Sequence, residues 1–456
     1  MKVEIVNTGS ELMLGRVLNT HQQWLCRRLA DSGHVVTRQV AVADSGPEIQ
    51  QAVREALDRA DLVITTGGLG PTSDDLTREL IAQMLGRKLV QSQEVLAHIE
   101  GFFAARGRPC PPKTEVETFV PEGALVFLNQ TGTAPGLALR VGPGSEADGG
   151  WKMEGGMGMS PLSSTLHLPS SGSSIQHPPS SLSKKWLVML PGPPRELRPM
   201  FEAAVAPLLA REFAAEIFVC RTLRSTGIGE SRVQEMIEAG VRPFVELGLE
   251  VGYCARPGAV DVRLAASGGR AAQLVRDGEA VVRRILGAHI FGVDDDEMEN
   301  VVVRLLADRK LSLALAESCT GGNLAHRVTN VPGASAVFSG GIVSYANEVK
   351  EKWLGVRAAT LRQHGAVSEA VAREMALGVR EKFGADFALA VTGIAGPGGG
   401  TPEKPVGTVF LALTAADGVE VEHRLNPWDR VTFKDVTATQ ALELLRRRLV
   451  ASGIPA

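Results

Sequence analysis

Short apolar runs alternate with amphipathic segments from the start of the chain, and this alternation constrains the fold more than any other feature. Lys2–Asn7 (KVEIVN) reads as a buried strand, and Asn19–Ser32 carries Trp24, Leu25 and Leu29 at helical spacing. Val35–Ala43 is a second strand, Pro47–Arg59 a helix with Ile49, Val53 and Leu57 on one face, and Asp61–Thr65 a third strand running into Gly67. Repetition of this kind predicts a parallel sheet with helices on both faces. The turn after the third strand then lies at the carboxyl end of the sheet, where doubly wound folds place a ligand crevice. The pattern returns twice. Strands are expected at Ile217–Ser225, Glu250–Ala255 and Ala259–Ala266, with helices at Glu230–Ala239 and Ala271–Leu286. Further strands are expected at Ser312–Ala316, Gly341–Tyr345, Phe387–Thr392 and Gly407–Thr414, with helices at Gly322–Thr329, Glu369–Phe383 and Val436–Val450. The expected architecture is therefore α/β in three domains, 1–212, 213–293 and 294–456. The acidic run Asp294–Glu297 marks entry to the last, its charges complementing the dipole of a helix over Met298–Leu306.

Gly142–Lys185 breaks the pattern. It is rich in Gly, Ser and Pro, has few charges and no period, and is expected to be disordered. The flanking runs Leu137–Val141 and Trp186–Leu190 read as strands, so the segment is an expanded hairpin tip, an insertion of low cost in loop-closure entropy. Composition narrows the function classes. Lys and Arg number 48 against 51 Asp and Glu, a net charge of -3, which excludes a protein that coats nucleic acid. Five cysteines without CxxC spacing argue against a disulfide framework or a thiolate zinc site. The opening MKVEIVNTGSEL has no signal-peptide pattern, and no run of about 20 apolar residues occurs, so a reduced, cytoplasmic protein is expected.

Five segments carry chemistry. Gly67–Thr77 (GGLGPTSDDLT) follows a strand; its glycines let a backbone pass close to a phosphate, and Asp74 and Asp75 suit a divalent metal bridging to that phosphate. A Gly-rich turn with Asp as helix cap reads equally well. Thr8–Asn19 (TGSELMLGRVLN) would bring a further carboxylate to the same crevice. Ala316–Gly322 (AESCTGG) stands where a strand ends and a helix starts, so its serine can face a ligand while following N–H groups stabilise an oxyanion. Serine needs a base, and His326, His364 and His423 are scattered. A lysine serves if its pKa is lowered, and Gly341–Lys350 (GIVSYANEVK) supplies Lys350 with Tyr345. Val391–Gly400 (VTGIAGPGGG) adds Thr392 and a glycine loop suited to phosphate.

Together these motifs are specific. TGSEL with Asn19 downstream, GGLGPTxDDxT, Leu128–Gly136 (LNQTGTAPG) and Leu190–Leu197 (LPGPPREL) resemble the molybdopterin-binding fold and the N-terminal domain of the CinA family. The resemblance implies metal-dependent ADP-ribose pyrophosphatase activity. It places a nucleotide site at Glu11, Asn19, Gly68, Gly70, Thr72 and Asp74, and a divalent ion, magnesium or cobalt, at Asp75, with potassium as an auxiliary ion. Two departures stand out: His21 replaces the last Asn of an NTN triplet, and Val116 and Glu117 replace a Lys-Gln pair, which removes a positive charge from a pyrophosphate site. Arg221–Ser231 (RTLRSTGIGES) resembles the family's KH-like linking domain. Gly227-Ile228-Gly229-Glu230 is not a basic GxxG loop, so a connector that supports a homodimer is expected rather than a nucleic-acid site.

AESCTGG, GGIVSYANEVK, GAVS, TGIAGPGGG and KPVGTV occur in that order within about 95 residues and resemble the CinA C-terminal domain, a nicotinamide mononucleotide deamidase fold. The resemblance implies Ser318 as nucleophile, Lys350 as base, and Tyr345 and Thr392 as site hydroxyls. It implies substrate contacts at Thr320, Gly321, Gly322, Gly393, Gly396 and Arg430, with Arg430 of NPWDRVTFK, and Lys434 after it, directed at the substrate phosphate. No cofactor is implied for this reaction. A thiol nucleophile at Cys319 is the chemical alternative. A pterin- or nucleotide-binding module acting in competence or the DNA-damage response is the alternative without catalysis.

Overall fold

The computed structural model describes residues 1–142, 185–215 and 217–451, so the expectation of disorder for the Gly142–Lys185 segment lies outside the described residues except at its two ends. The chain separates into two units, Met1–Phe218 and Val219–Ala456.

In the first unit, the period-two alternation of each strand sends its side chains into two different cores. Leu62 and Ile64 join Val3, Ile5, Leu25 and Leu29 on one face, while Val63 joins Val6, Ile49 and Val53 on the other. Both faces are covered by helices for that reason, as the sequence predicts. The sheet runs Val36–Val42, Val3–Thr8, Leu62–Thr66, Lys185–Leu190, Gly136–Val141, Leu125–Phe127. Its first four strands are parallel. Gly136–Val141 and Lys185–Leu190 pair antiparallel with Val141 opposite Lys185, so the expected hairpin is present on either side of the undescribed segment. The carboxyl ends of Val3–Thr8 and Leu62–Thr66 lie side by side, with the Thr8 hydroxyl donating to the Thr66 carbonyl at 3.3 Å.

The second unit holds two sheets. A four-stranded sheet runs Glu250–Arg256, Ala259–Ser267, Phe218–Thr226, Ile290–Val293 and carries helices Glu230–Val245 and Ala271–Leu286. The first helix continues well past Ala239, where the sequence reading ends it. Gly240 accounts for this: a Cβ there would stand 2.9 Å from both Ile285 and Val281, so the position is a close approach between two helices rather than a stop. The acidic run precedes a helix from Met298, as expected, and has further partners. Asp294 pairs with Arg221 and accepts from the Thr222 N–H, and Glu297 pairs with the buried Arg224 at 2.9 Å. These charges tie the middle segment to the last one, and no side-chain bond caps the following helix, Met298–Arg309.

The five-stranded sheet runs Phe338–Val343, Leu313–Glu317, Phe387–Gly393, Thr408–Ala415, Gly418–Leu425, parallel over the first three strands and antiparallel over the last two. Its faces differ in volume. Leu313, Leu315, Leu389, Val391 and Leu411 pack against helices Met298–Arg309 and Arg430–Ala451. Ala314, Ala316, Ala388, Ala390 and Ala412 pack against helix Glu369–Phe383. The sequence reading misses the edge strand Gly418–Leu425 and starts the last helix six residues late. It also places Tyr345 within a strand, whereas the strand ends at Val343 and Tyr345 stands in the turn beyond it. No helix among the described residues is long and apolar enough to cross a membrane.

Candidate functional site

Strand Leu313–Glu317 ends in the middle of the last sheet, and its neighbour Phe338–Val343 ends beside it. Turns after adjacent parallel strands converge, and the chain places Ser318 in one and Lys350 just past the other. Lys350 is fully buried, with 1% exposure. Its Nζ donates to the Ser344 carbonyl at 2.6 Å, to the Tyr345 carbonyl at 3.2 Å and to Ser318 Oγ at 3.1 Å. Burial holds its pKa below the usual lysine value, against the opposing fields of Cys319 and Glu348. Two carbonyls retain two amine hydrogens, so the lone pair exposed on deprotonation points at Ser318 Oγ. That is the geometry a general base requires.

Cys319 is disqualified as nucleophile. It is buried, and desolvation pushes its thiol up to about 12, with the Glu317 charge adding in the same direction. The oxyanion donors are narrower than the sequence suggests. Gly321 N–H is spent on the Ser318 carbonyl at 3.1 Å and Gly322 N–H on the Glu317 carboxylate at 3.0 Å. The Cys319 and Thr320 N–H groups remain at the turn, facing the Cys319 sulfur. The Thr320 hydroxyl is fully buried with no partner among the described residues.

The other expected site residues divide into two groups. Arg430 donates to the Gly396 carbonyl at 2.8 Å and to the Tyr345 hydroxyl at 2.6 Å, which joins the glycine loop, the tyrosine and the start of the last helix. Lys434 stands one turn further on, its Nζ 3.9 Å from where a Gly321 Cβ would be. Thr392 behaves differently: it is fully buried and gives its hydrogen to the Ala366 carbonyl at 2.8 Å, so it fixes the GAVS turn. Gly393 lies under the next strand, where a Cβ would meet the Thr408 carbonyl at 2.7 Å. The sequence reading misses Glu317 and Ser344. An acid directly before a turn whose helix lacks a Ser, Thr or Asp cap was the available signal for Glu317.

The first unit has a cleft of about 380 Å³ at the carboxyl end of its sheet, lined by Glu11, Leu12, Leu18, His21, Asp74 and Asp75 among others. Gly67 makes it possible: its φ is 98°, and a Cβ would stand 2.7 Å from the Thr8 carbonyl. Asp75 Oδ2 accepts from the Thr72 N–H at 3.0 Å and from its hydroxyl at 2.5 Å, and Gly70 packs against the same carboxylate. Neither aspartate caps the following helix, Thr77–Met84, which has no side-chain cap. Asn19 does act as a cap, accepting from the Gln22 N–H at 3.0 Å. His21, half-buried, contacts the Thr66 hydroxyl at 3.1 Å; burial and then the Arg198 charge hold its imidazole pKa below the usual value. Behind the turn, Glu117 is fully buried. Its Oε1 accepts from Thr133 at 3.1 Å, its Oε2 has no partner among the described residues, and desolvation raises it to about 7. Among the described residues no three His, Cys, Asp or Glu side chains form a metal-binding group.

These sheets and clefts define a multidomain α/β protein whose first domain is of the molybdopterin-binding type. Family models match in sequence along it: "Probable molybdopterin binding domain" over residues 4–211, "Damage-inducible protein CinA KH domain" over 220–292, and "CinA C-terminal domain" over 295–449. A CinA-like protein of Akkermansia muciniphila is 42% identical over 443 residues, covering 97% of this chain and 96% of its own. The chain belongs to the CinA family. Among solved structures, the competence/damage inducible protein CihA of Agrobacterium tumefaciens is 41% identical and covers 34% of this chain and 96% of its own, with a TM-score of 0.32. A CinA protein of unknown function from Thermoplasma acidophilum is 26% identical and covers 45% of this chain and 97% of its own, with a TM-score of 0.34.

Proposed function

We propose that the last domain hydrolyses the carboxamide of nicotinamide mononucleotide to nicotinic acid mononucleotide and ammonia. The single observation behind this reading is the 3.1 Å contact between Ser318 Oγ and a buried lysine amine whose pKa is lowered. Lys350 takes the Ser318 proton as Oγ attacks the carboxamide carbon. The tetrahedral oxygen is met by the Thr320 hydroxyl, which has no partner among the described residues. Lys350 then returns its proton to the departing nitrogen, which leaves as ammonia. A water, deprotonated by the same amine, attacks the acyl ester and restores Ser318. Arg430, with Lys434, binds the 5′-phosphate, since the guanidinium keeps N–H donors beyond the two it gives to Gly396 and Tyr345. The test is ammonia release from nicotinamide mononucleotide by wild type and Ser318→Ala. Turnover by wild type that drops at least about 1,000-fold in the variant supports the reading, and substantial turnover by Ser318→Ala overturns it.

We further propose that the first domain's cleft takes ADP-ribose and cleaves its pyrophosphate bond. The cleft is lined by the carboxylates of Glu11, Asp44, Asp74 and Asp75, of which no three among the described residues close into a metal cage. That donor set fits magnesium, which keeps few protein ligands and takes the rest from substrate phosphates and water. The ion would neutralise pyrophosphate charge. The chain's own groups do the orienting: the Gly67 and Gly68 backbone approaches the phosphates, and Leu12 and Leu18 present an apolar wall. The arrangement equally supports nucleotide binding without cleavage, because Asp75 is already engaged by Thr72. Release of AMP from ADP-ribose with and without magnesium separates the two.

A further inference from the structure

We propose that Glu317, rather than any group of the nucleophile turn itself, is the positioning residue that holds Ser318 and Lys350 in register. The inference rests on the Ser–Lys reading above and concerns a residue that touches neither substrate nor reacting atom. Glu317 is 1% exposed, at the last position of its strand. Its Oε2 accepts from the Gly322 N–H and the Leu324 N–H, both at 3.0 Å, and its Oε1 from the Ala325 N–H at 2.8 Å. Both oxygens are thus spent on the backbone that begins one residue after the turn. The turn Ser318–Gly321 is clamped between the strand end and helix Asn323–Thr329 by a side chain reaching over it.

The main chain of the same residue performs the second half of the task. The Glu317 carbonyl accepts from the Ser344 N–H at 2.7 Å and from the Ser344 hydroxyl at 3.3 Å. The Ser344 carbonyl in turn takes the shortest of the three Lys350 hydrogen bonds, 2.6 Å. One residue therefore fixes the nucleophile through its side chain and the base through its backbone. The clamp extends to the basic end of the site. The helix it anchors is tied to helix Arg430–Ala451 by Asn323 to Asp435 at 2.8 Å and by Arg327 to Thr439 at 2.8 Å. A buried carboxylate with three charge-assisted bonds resists displacement, and loss of one partner leaves buried donors unpaired.

The experiment compares wild type, Glu317→Gln and Glu317→Asp in the full chain. A fluorophosphonate probe reads nucleophile geometry without the natural substrate: Ser318 Oγ attacks phosphorus, fluoride leaves, and Lys350 receives the serine proton. Glu317→Gln keeps the shape but loses the carboxylate, so Ser318 labelling and kcat for ammonia release should both fall about 100-fold, with KM within about threefold of wild type. Glu317→Asp keeps the charge but is one methylene short and should fall further. Thermal unfolding separates position from folding, since a merely structural role lowers Tm and leaves labelling of the folded fraction unchanged. Wild-type labelling rates in folded Glu317→Gln overturn the proposal, and Glu317→Asp carries the same criterion if the glutamine variant does not fold. If wild type labels at Ser318 but releases no ammonia, the substrate reading fails while the labelling comparison still decides the role of Glu317. Absence of labelling in wild type defeats both.

Discussion

The two candidate sites described above both stand at the carboxyl ends of parallel strands and differ in how much chemistry they hold before a ligand arrives. In the last domain, nucleophile and base are already in contact, the base is buried, and its hydrogens are committed to carbonyls that leave one direction open. In the first domain, carboxylates line a cleft without forming a metal-binding group among the described residues, and Asp75 is held by its own turn. A preorganised site has its reorganisation cost met during folding. A ligand-completed site meets it on binding, so its activity depends on what the ligand carries in.

The comparison is broken most strongly at Lys350. Lys350→Ala should lower ammonia release at least about 1,000-fold, and the double variant with Ser318→Ala should be little worse than either single one, because the pair acts as a unit. Lys350→Arg should not rescue, since guanidinium holds its proton at any working pH. The sign of the pH profile follows from the lowered lysine pKa: the amine must be neutral to act, so kcat should rise with pH through a midpoint below the ordinary lysine value of 10.5. A limb at or above 10.5 would remove the assignment of Lys350.

A smaller effect is expected in the other cleft. Asp75→Asn should reduce AMP release from ADP-ribose by about 10- to 100-fold and leave ammonia release at wild-type levels. Loss of both activities would mean that the two sites are not independent.

Smaller still is a stability effect that needs no substrate. Glu117 titrates near 4.5 when unfolded and about 7 when folded, so the folded chain keeps a proton that the unfolded chain releases between those values. Stability from this group is therefore intact at low pH and declines as pH rises towards 7. Glu117→Gln should be more stable than wild type at pH 8 by up to about 3 kcal/mol, beyond any pH-independent offset, and that gain should vanish near pH 4. Denaturant melts at the two pH values decide it. The least effect is expected from replacing residues 143–184 by a short Gly/Asn turn. Val141 and Lys185 are already paired, so Tm should shift by no more than about 2 °C; a collapse in Tm would show the segment to be part of the fold.

Periodic strands and helices were legible because their alternation records two-sided burial: Leu62, Val63 and Ile64 announce a sheet covered on both faces. The positions Ser318, Lys350 and Arg430 were legible through motifs. What stayed hidden depends on contacts distant in sequence. Gly240 looks like a helix stop until Ile285 and Val281 are seen against it. Thr392 reads as a site hydroxyl until its hydrogen is found on Ala366. Asp294–Glu297 does stand at a helix start, but its pairing with arginines over 70 positions earlier could not be read from the run itself. Glu317 was hidden most thoroughly, because its three partners lie in a helix start that sequence reading credits to the ligand.

The alanine face of the last sheet sets a limit on how this half of the chain can drift. Helix Glu369–Phe383 covers that face and is itself backed by helix Asn347–Leu354, where a Cβ on Gly378 would collide with the Leu354 carbonyl. The leucine and valine face opposite can trade bulk among its members, one position shrinking as another grows. The seam of Ala314, Ala316, Ala388, Ala390 and Ala412 has no such exchange rate, because methyl groups leave nothing to give up. One side of the sheet can be rewritten while the other is held to the smallest side chains, and the placement of the strands that end at Glu317 and Val343 rests on that restriction.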